Sequence, residues 1–123
     1  MLVGQTTSGK TTCYKILADA MSEIKKKGTS TDKRYQKVNI QVMNPKCIAM
    51  GELYGEVNPF TYEWNDGLAS SIMREAAYRD DDEKVWVVCD GPVDSLWIEN
   101  MNTVLDDNMM LCLANGQRIK LRP

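Results

Sequence analysis

The run Gly4–Thr11, GQTTSGKT, sets two glycines around four polar residues and closes on Lys10 and Thr11. It stands between the apolar Leu2 and Val3 and a stretch where Ile16, Leu17, Ala20, Met21 and Ile24 recur at helical spacing. That context predicts strand, tight loop and helix, a unit that buries its strand within a layered α/β arrangement. The pattern is G-x-x-x-x-G-K-[ST], and its chemistry accounts for each fixed position. Gly4 and Gly9 let the backbone wrap so that successive N–H groups face phosphate oxygens. Lys10 neutralises the β- and γ-phosphates, the Thr11 hydroxyl ligates magnesium, and the helix adds the positive end of its dipole. The bland reading is a chance glycine–lysine turn. Thr7 stands where many such loops carry a third glycine, and a β-branched residue at positive φ there costs about 1–2 kcal/mol.

Further on, VWVVCDG at 85–91 runs four apolar residues and a cysteine into Asp90. An aspartate at the C-terminal end of a buried parallel strand faces magnesium through water beside Thr11. The alternative is an aspartate opening the turn DGPVD. The next residue bears on turnover. Many ATPases of this design have a glutamate there to polarise water, whereas Gly91 has no side chain. Losing a general base costs a factor of about 10²–10⁴ in rate, so binding is expected to survive and hydrolysis is not. Asp94, past a proline, is assigned to capping the following helix.

With 123 residues, 43% of them hydrophobic, the chain is one domain or a piece of one. A net charge of -2 argues against a nucleic-acid partner. The lack of any histidine removes His-based triads and disfavours zinc. No apolar run is long enough to span a bilayer, and no signal peptide precedes the first motif. Cys13, Cys47, Cys89 and Cys112 have no C-x-x-C spacing and are expected to be buried reduced thiols of a cytosolic protein. Trp64, Trp86 and Trp97 are expected in the core or at an interface. The abrupt start and end lead us to expect an excerpt of a larger protein.

The elements expected are a helix over 10–27 stopped by Gly28, a polar loop, and a strand in KVNIQVMNP. A short helical or turn segment comes next in CIAMGELYG, and an ordered loop in EVNPFTYEWNDG. Asp66 is expected to cap a helix from Gly67 to about Arg79. A strand over 84–89 and a helix over 94–105, burying Leu96, Trp97, Met101 and Val104, complete the middle of the chain. Asn115 and Gly116 between two extended runs signal a C-terminal β-hairpin.

Three segments, MLVGQTTSGKTTCYKILADAM, VMNPKCIAMGELYGEVNPFTYEWNDGL and VCDGPVDSLWIENMNTVLDDNMMLCLANGQRI, closely resemble the second AAA+ module of dynein heavy chains, most like the axonemal ones. The resemblance covers nearly the whole chain apart from the loop at 28–36, and the Asp90–Gly91 pair is that family's own pattern. It implies a three-layer α/β phosphate-loop NTPase fold of AAA+ type with a central parallel sheet, left incomplete over 1–123, plus the hairpin. It implies ATP and magnesium, held by Gly4, Gln5, Thr6, Thr7, Ser8, Gly9, Lys10, Thr11 and Thr12, with Thr11 and Asp90 at the metal and no catalytic residue. Thr7 and Gln5 depart from the commoner proline and glycine of such loops.

The resemblance further implies a motor of cilia or flagella, in the cytoplasm and cytoskeleton of the axoneme. Its partners would be neighbouring AAA+ modules of the same polypeptide and, through other parts of the protein, the microtubule and dynein intermediate and light chains. The sensor strand, arginine finger and helical lid would lie beyond Pro123 or on a neighbouring module. On that expectation the 123 residues alone would neither fold stably nor bind ATP tightly. The alternative is an active phosphate-loop NTPase or nucleotide kinase that uses a different carboxylate, such as Asp94, as base.

Overall fold

The structure, a computed structural model, describes residues 1–122. It is a mixed α/β chain in two compact units, residues 1–40 with 81–86 and residues 41–80 with 87 onward. Its elements are helices α1 (Lys10–Lys27), α2 (Met50–Tyr54), α3 (Leu68–Tyr78) and α4 (Ser95–Leu105), with a 3-10 turn at Pro45–Cys47. The strands are β1 (Val38–Met43), β2 (Gly55–Val57), β3 (Trp64–Asp66), β4 (Lys84–Cys89), β5 (Met110–Cys112) and β6 (Arg118–Lys120). They pair as β1 with β4, β2 with β3, and β5 with β6. No helix among the described residues is long and apolar enough to cross a membrane.

In the first unit α1 has the bounds its periodicity predicts. Lys25, Lys26 and Lys27 complement the negative end of its dipole. Gly28 ends it at φ 63°, donating its N–H to the Lys25 carbonyl at 3.1 Å. The Ser22 hydroxyl donates to the Ala18 carbonyl at 2.8 Å and accepts the Val38 N–H at 3.1 Å, so the start of β1 is tied to the helix. Glu83 accepts from Lys37 Nζ at 2.9 Å and from Asn39 Nδ2 at 2.6 Å, and the Lys84 N–H donates to the Lys37 carbonyl at 2.8 Å. Met1, Leu2 and Val3, expected as a strand, lie exposed and unpaired with any strand among the described residues. Without a neighbouring ladder, an apolar run has no backbone partners that would hold it extended. Only Ala18 of α1 is buried, while Ile16 and Leu17 stay more than half exposed.

The second unit carries the core. Met43, Leu53, Tyr54, Ala69, Met73, Ala77, Met101, Leu111, Leu113 and Ile119 are buried together, flanked by Ile48, Trp64, Val87, Cys89, Trp97, Val104 and Leu121. At the end of β1 the Met43 carbonyl accepts the Asp90 N–H at 2.8 Å, as the Lys37 carbonyl accepts Lys84 at the start, so both strands advance in the same direction. Met101 of α4 is buried and Trp97 and Val104 half-buried, but Leu96 is 64% exposed. It is turned about 100° around the helix from Trp97, whose indole N–H reaches the Pro92 carbonyl at 3.2 Å.

The segment expected as an ordered loop is instead the antiparallel hairpin β2–β3, pairing Gly55 with Asp66, Glu56 with Asn65 and Val57 with Trp64. Strands of three residues are too short to show alternation, so the local pattern carries no signal. Asn58 organises its tip, accepting the Phe60 and Thr61 N–H groups on Oδ1. Asp66 does not cap α3. Gly67 takes the N-cap position, exchanging hydrogen bonds with the buried Ser70 hydroxyl, and the Asp66 carboxylate instead binds the Arg74 guanidinium and the Trp64 indole. The expected C-terminal hairpin forms as β5–β6, with Met110 opposite Lys120 and Gly116 at φ 83° in the turn. The four thiols are free, yet Cys13, Cys47 and Cys112 are exposed and only Cys89 is half-buried, against the expectation of buried cysteines.

Two backbone approaches fix the second unit. A Cβ on Gly67 would lie 2.4 Å from the Gly55 nitrogen and the Leu53 carbonyl, and one on Gly55 would lie 2.3 Å from the Trp64 ring. Gly67→Ala is expected to destabilise by about 3 kcal/mol, since rigid backbone must yield. Gly116→Ala meets open space and is expected to cost about 1 kcal/mol from its positive φ alone. Denaturant unfolding of the two variants checks the ordering.

Candidate functional site

The loop before α1 belongs to the first unit. Gly9 caps the helix at φ 81° in the left-handed region, and Thr7 takes φ 70°, the conformation in which its β-branched side chain is strained. The Ser8 N–H donates to the Gln5 carbonyl at 3.2 Å, closing a turn. A Cβ on Gly4 would stand 2.6 Å from Ser8 Oγ, so a side chain there would have to displace the serine hydroxyl. Lys10 folds back over the loop, its ammonium donating to the Gly4 carbonyl at 2.8 Å, the Gln5 carbonyl at 2.6 Å and Ser8 Oγ at 3.3 Å. Three donors meet three acceptors, which holds a positive charge at the head of the loop. No side chain caps the first turn of α1 and no acidic residue stands in it, so the positive end of the helix is not neutralised locally. Gln5, Thr6, Thr7, Ser8, Thr11 and Thr12 are exposed.

Asp90 lies in the second unit. It is exposed at the C-terminal end of β4, held through its N–H on Met43, and the ends of parallel strands are where open α/β sheets bind ligands. Two residues that sequence reasoning did not single out stand beside the segment after Asp90. Asn44 Oδ1 accepts the Lys46 N–H at 3.1 Å and caps the 3-10 turn, and the Asn44 side chain stands over Gly91. Lys46 Nζ donates to the Asp94 carboxylate. The Asn44–Pro45 pair is a turn signal in the sequence, but only the fold shows which residue it faces.

Asp94 caps α4, accepting the Leu96 N–H at 3.0 Å, as its position predicts. The Lys46 ammonium and then the Leu96 amide hold its carboxyl below the usual carboxylate range. A carboxylate with both partners engaged is a poor proton acceptor. Just before Asp90, burial pushes the Cys89 thiol up. Tyr54 donates its hydroxyl to the Trp97 carbonyl at 2.5 Å, and burial, followed by nearby Cys89, raises its phenol to about 12.

No protein-family profile matches the chain. The curated relatives are consistent with one another. The chain is 57% identical to human dynein axonemal heavy chain 6 over all 123 residues, and 54% identical to human dynein axonemal heavy chain 1 over 98% of its length. It is 43% identical to human dynein axonemal heavy chain 12, again over its full length. The 123 residues span 3% of the first two of these proteins and 4% of the third. At these identities the sequence belongs to the axonemal dynein heavy-chain family, of whose members it covers a small part.

The phenol of Tyr54 gives a test of the site's surroundings. Its proton is bound more tightly in the folded chain than in the unfolded one, so the associated stability is full below pH 10 and is lost as pH rises towards 12. Stability measured across that range is expected to fall less steeply for Tyr54→Phe than for the native chain, and ultraviolet titration should show one phenolate fewer in the late phase.

Proposed function

We propose that the chain is the nucleotide-binding core of the second AAA+ module of a dynein heavy chain. In this reading it binds Mg-ATP with little or no hydrolysis and serves a structural or regulatory role in the ring of an axonemal motor. The observation that carries the reading is the Gly4–Thr12 loop. It presents a lysine ammonium, a left-handed glycine and an uncapped helix N-terminus together, the combination that phosphate oxygens require. When a triphosphate is bound, Lys10 would exchange its bonds to the loop carbonyls for bonds to phosphate, and the loop and first-turn N–H groups would serve the same use.

The residues suit magnesium. By their chemistry the Thr11 hydroxyl and, through water, the Asp90 carboxylate would hold it, with the other positions left to phosphate and solvent, which is how this cation is usually held. The metal would neutralise charge on the β- and γ-phosphates. What the chain's own residues lack is a proton acceptor after Asp90. Gly91 offers none, and Asp94 is committed to Lys46 and to α4. This counts against the alternative of an active NTPase or kinase with Asp94 as base. Its relatives are named axonemal dynein heavy chains; in this reading the polypeptide works in the axoneme and engages microtubules and other dynein subunits through parts outside these residues.

Lys10→Ala in the intact heavy chain is expected to weaken nucleotide binding at this loop by about a hundredfold or more, as a charge-assisted contact is lost. Nucleotide released from the denatured protein, counted per polypeptide, should fall in the variant. Equal retention would overturn the binding assignment. ATP turnover that disappears with Lys10→Ala but leaves the other modules' nucleotide in place would overturn the passive role.

A further inference from the structure

We infer that the Asn44 side chain reserves position 91 for glycine, so that no carboxylate can stand after Asp90 while Asn44 is present. This deepens the proposed function and rests on it for its catalytic meaning, although its physical content lies within the second unit.

Gly91 is not among the glycines at positive φ, so its backbone could be adopted by other residues. What excludes them is space. A Cβ at position 91 would lie 2.5 Å from Asn44 Oδ1 and 3.1 Å from its Cγ, so the amide carbon as well as its tip is in the way. The amide is anchored, because Oδ1 accepts the Lys46 N–H and caps the turn at Pro45–Cys47. Asn44 precedes a buried proline, which confines it to the extended backbone it adopts at φ -108° and ψ 100°. The residue before it is fixed by the Met43 carbonyl bond to Asp90.

The facing segment is also tied in place. Asp94 is bound to Lys46 Nζ and to the Leu96 N–H, so the chain after Gly91 is tied at Asp94 to the segment that carries Asn44. A side chain at 91 must therefore turn the Asn44 amide outward and forfeit its cap. The group that occupies this space is a neutral amide, which donates and accepts hydrogen bonds but does not take up a proton at neutral pH. Asn44 is thus a positioning residue: it holds the place after Asp90 against the group that would act as base.

The test is a cycle of Gly91→Glu, Asn44→Gly and the double variant in the intact heavy chain, read first by hydrogen exchange. Gly91→Glu is expected to speed exchange over residues 44–48 and 90–97 by about tenfold, the consequence of a lost cap. The double variant should exchange no faster than Asn44→Gly alone. Wild-type exchange in Gly91→Glu, or effects that simply add in the double variant, would overturn the inference.

The second readout is the ATP turnover that depends on Lys10. None is expected from Gly91→Glu, and turnover raised by a factor on the order of 10² is expected from the double variant. Equal turnover above background in the single and double variants would overturn the inference and leave the proposed function intact. Lys10-dependent turnover in the unmodified chain would overturn the proposed function, and the exchange cycle alone would then judge the role of Asn44. Coupled exchange with no turnover in the double variant would remove the catalytic meaning and retain the steric one.

Discussion

The hydrogen bond from the Asp90 N–H to the Met43 carbonyl governs the second unit. It sets the ends of β1 and β4 level, so the segments that leave the two strands run close together. Asn44 meets Gly91, and Lys46 meets Asp94. A slip of one residue would turn every side chain to the other face and would part the Asn44 amide from the backbone it covers. The core is consistent with this register. Met43 at the end of β1 is buried among residues of the helices and of the β5–β6 hairpin.

The same geometry explains how the segment after Asp90 is made rigid without a large apolar contribution. Asp90, Gly91, Pro92 and Val93 are exposed or nearly so, yet the polar contacts around them are nearly continuous. Asn44 bonds Lys46, Lys46 bonds Asp94, Asp94 bonds Leu96, and Trp97 bonds the Pro92 carbonyl. An exposed ion pair is worth little by itself, because solvent screens it and ordering two side chains costs entropy. Here the pair joins two turns that are already capped, so its effect is to limit their movement relative to each other. On the proposed reading, that restriction would keep the Asp90 carboxylate in one place, and a side chain after it would need the space that Asn44 fills.

The loop at the start of α1 reflects a different balance. Thr7 at φ 70° costs about 1–2 kcal/mol that a glycine would avoid. Lys10 supplies the compensation, since its three bonds to the loop draw the carbonyls of Gly4 and Gln5 and the hydroxyl of Ser8 around one ammonium. A strained residue persists where surrounding contacts over-determine it, and such residues cluster at ligand-holding loops.

The sequence by itself determined α1 to its last residue, β4, the capping role of Asp94 and the C-terminal hairpin. Each depends on a local rule: helical period, an apolar run, an N-cap spacing, an Asn-Gly turn. It also determined the candidate loop, because the Gly4–Thr11 pattern is contiguous in the chain, and it determined the family, because long stretches of unusual residues are shared. Tertiary structure alone decided three other matters. It made a hairpin of 55–66, since three-residue strands form only where Gly55 and Gly67 let backbone and Trp64 close in. It left Leu96 and three of the four cysteines exposed, since burial depends on which neighbours arrive and not on a residue's own hydrophobicity. It also set Asn44 over Gly91, a contact between residues far apart in sequence that no local pattern encodes, because it comes from the pairing of two parallel strands.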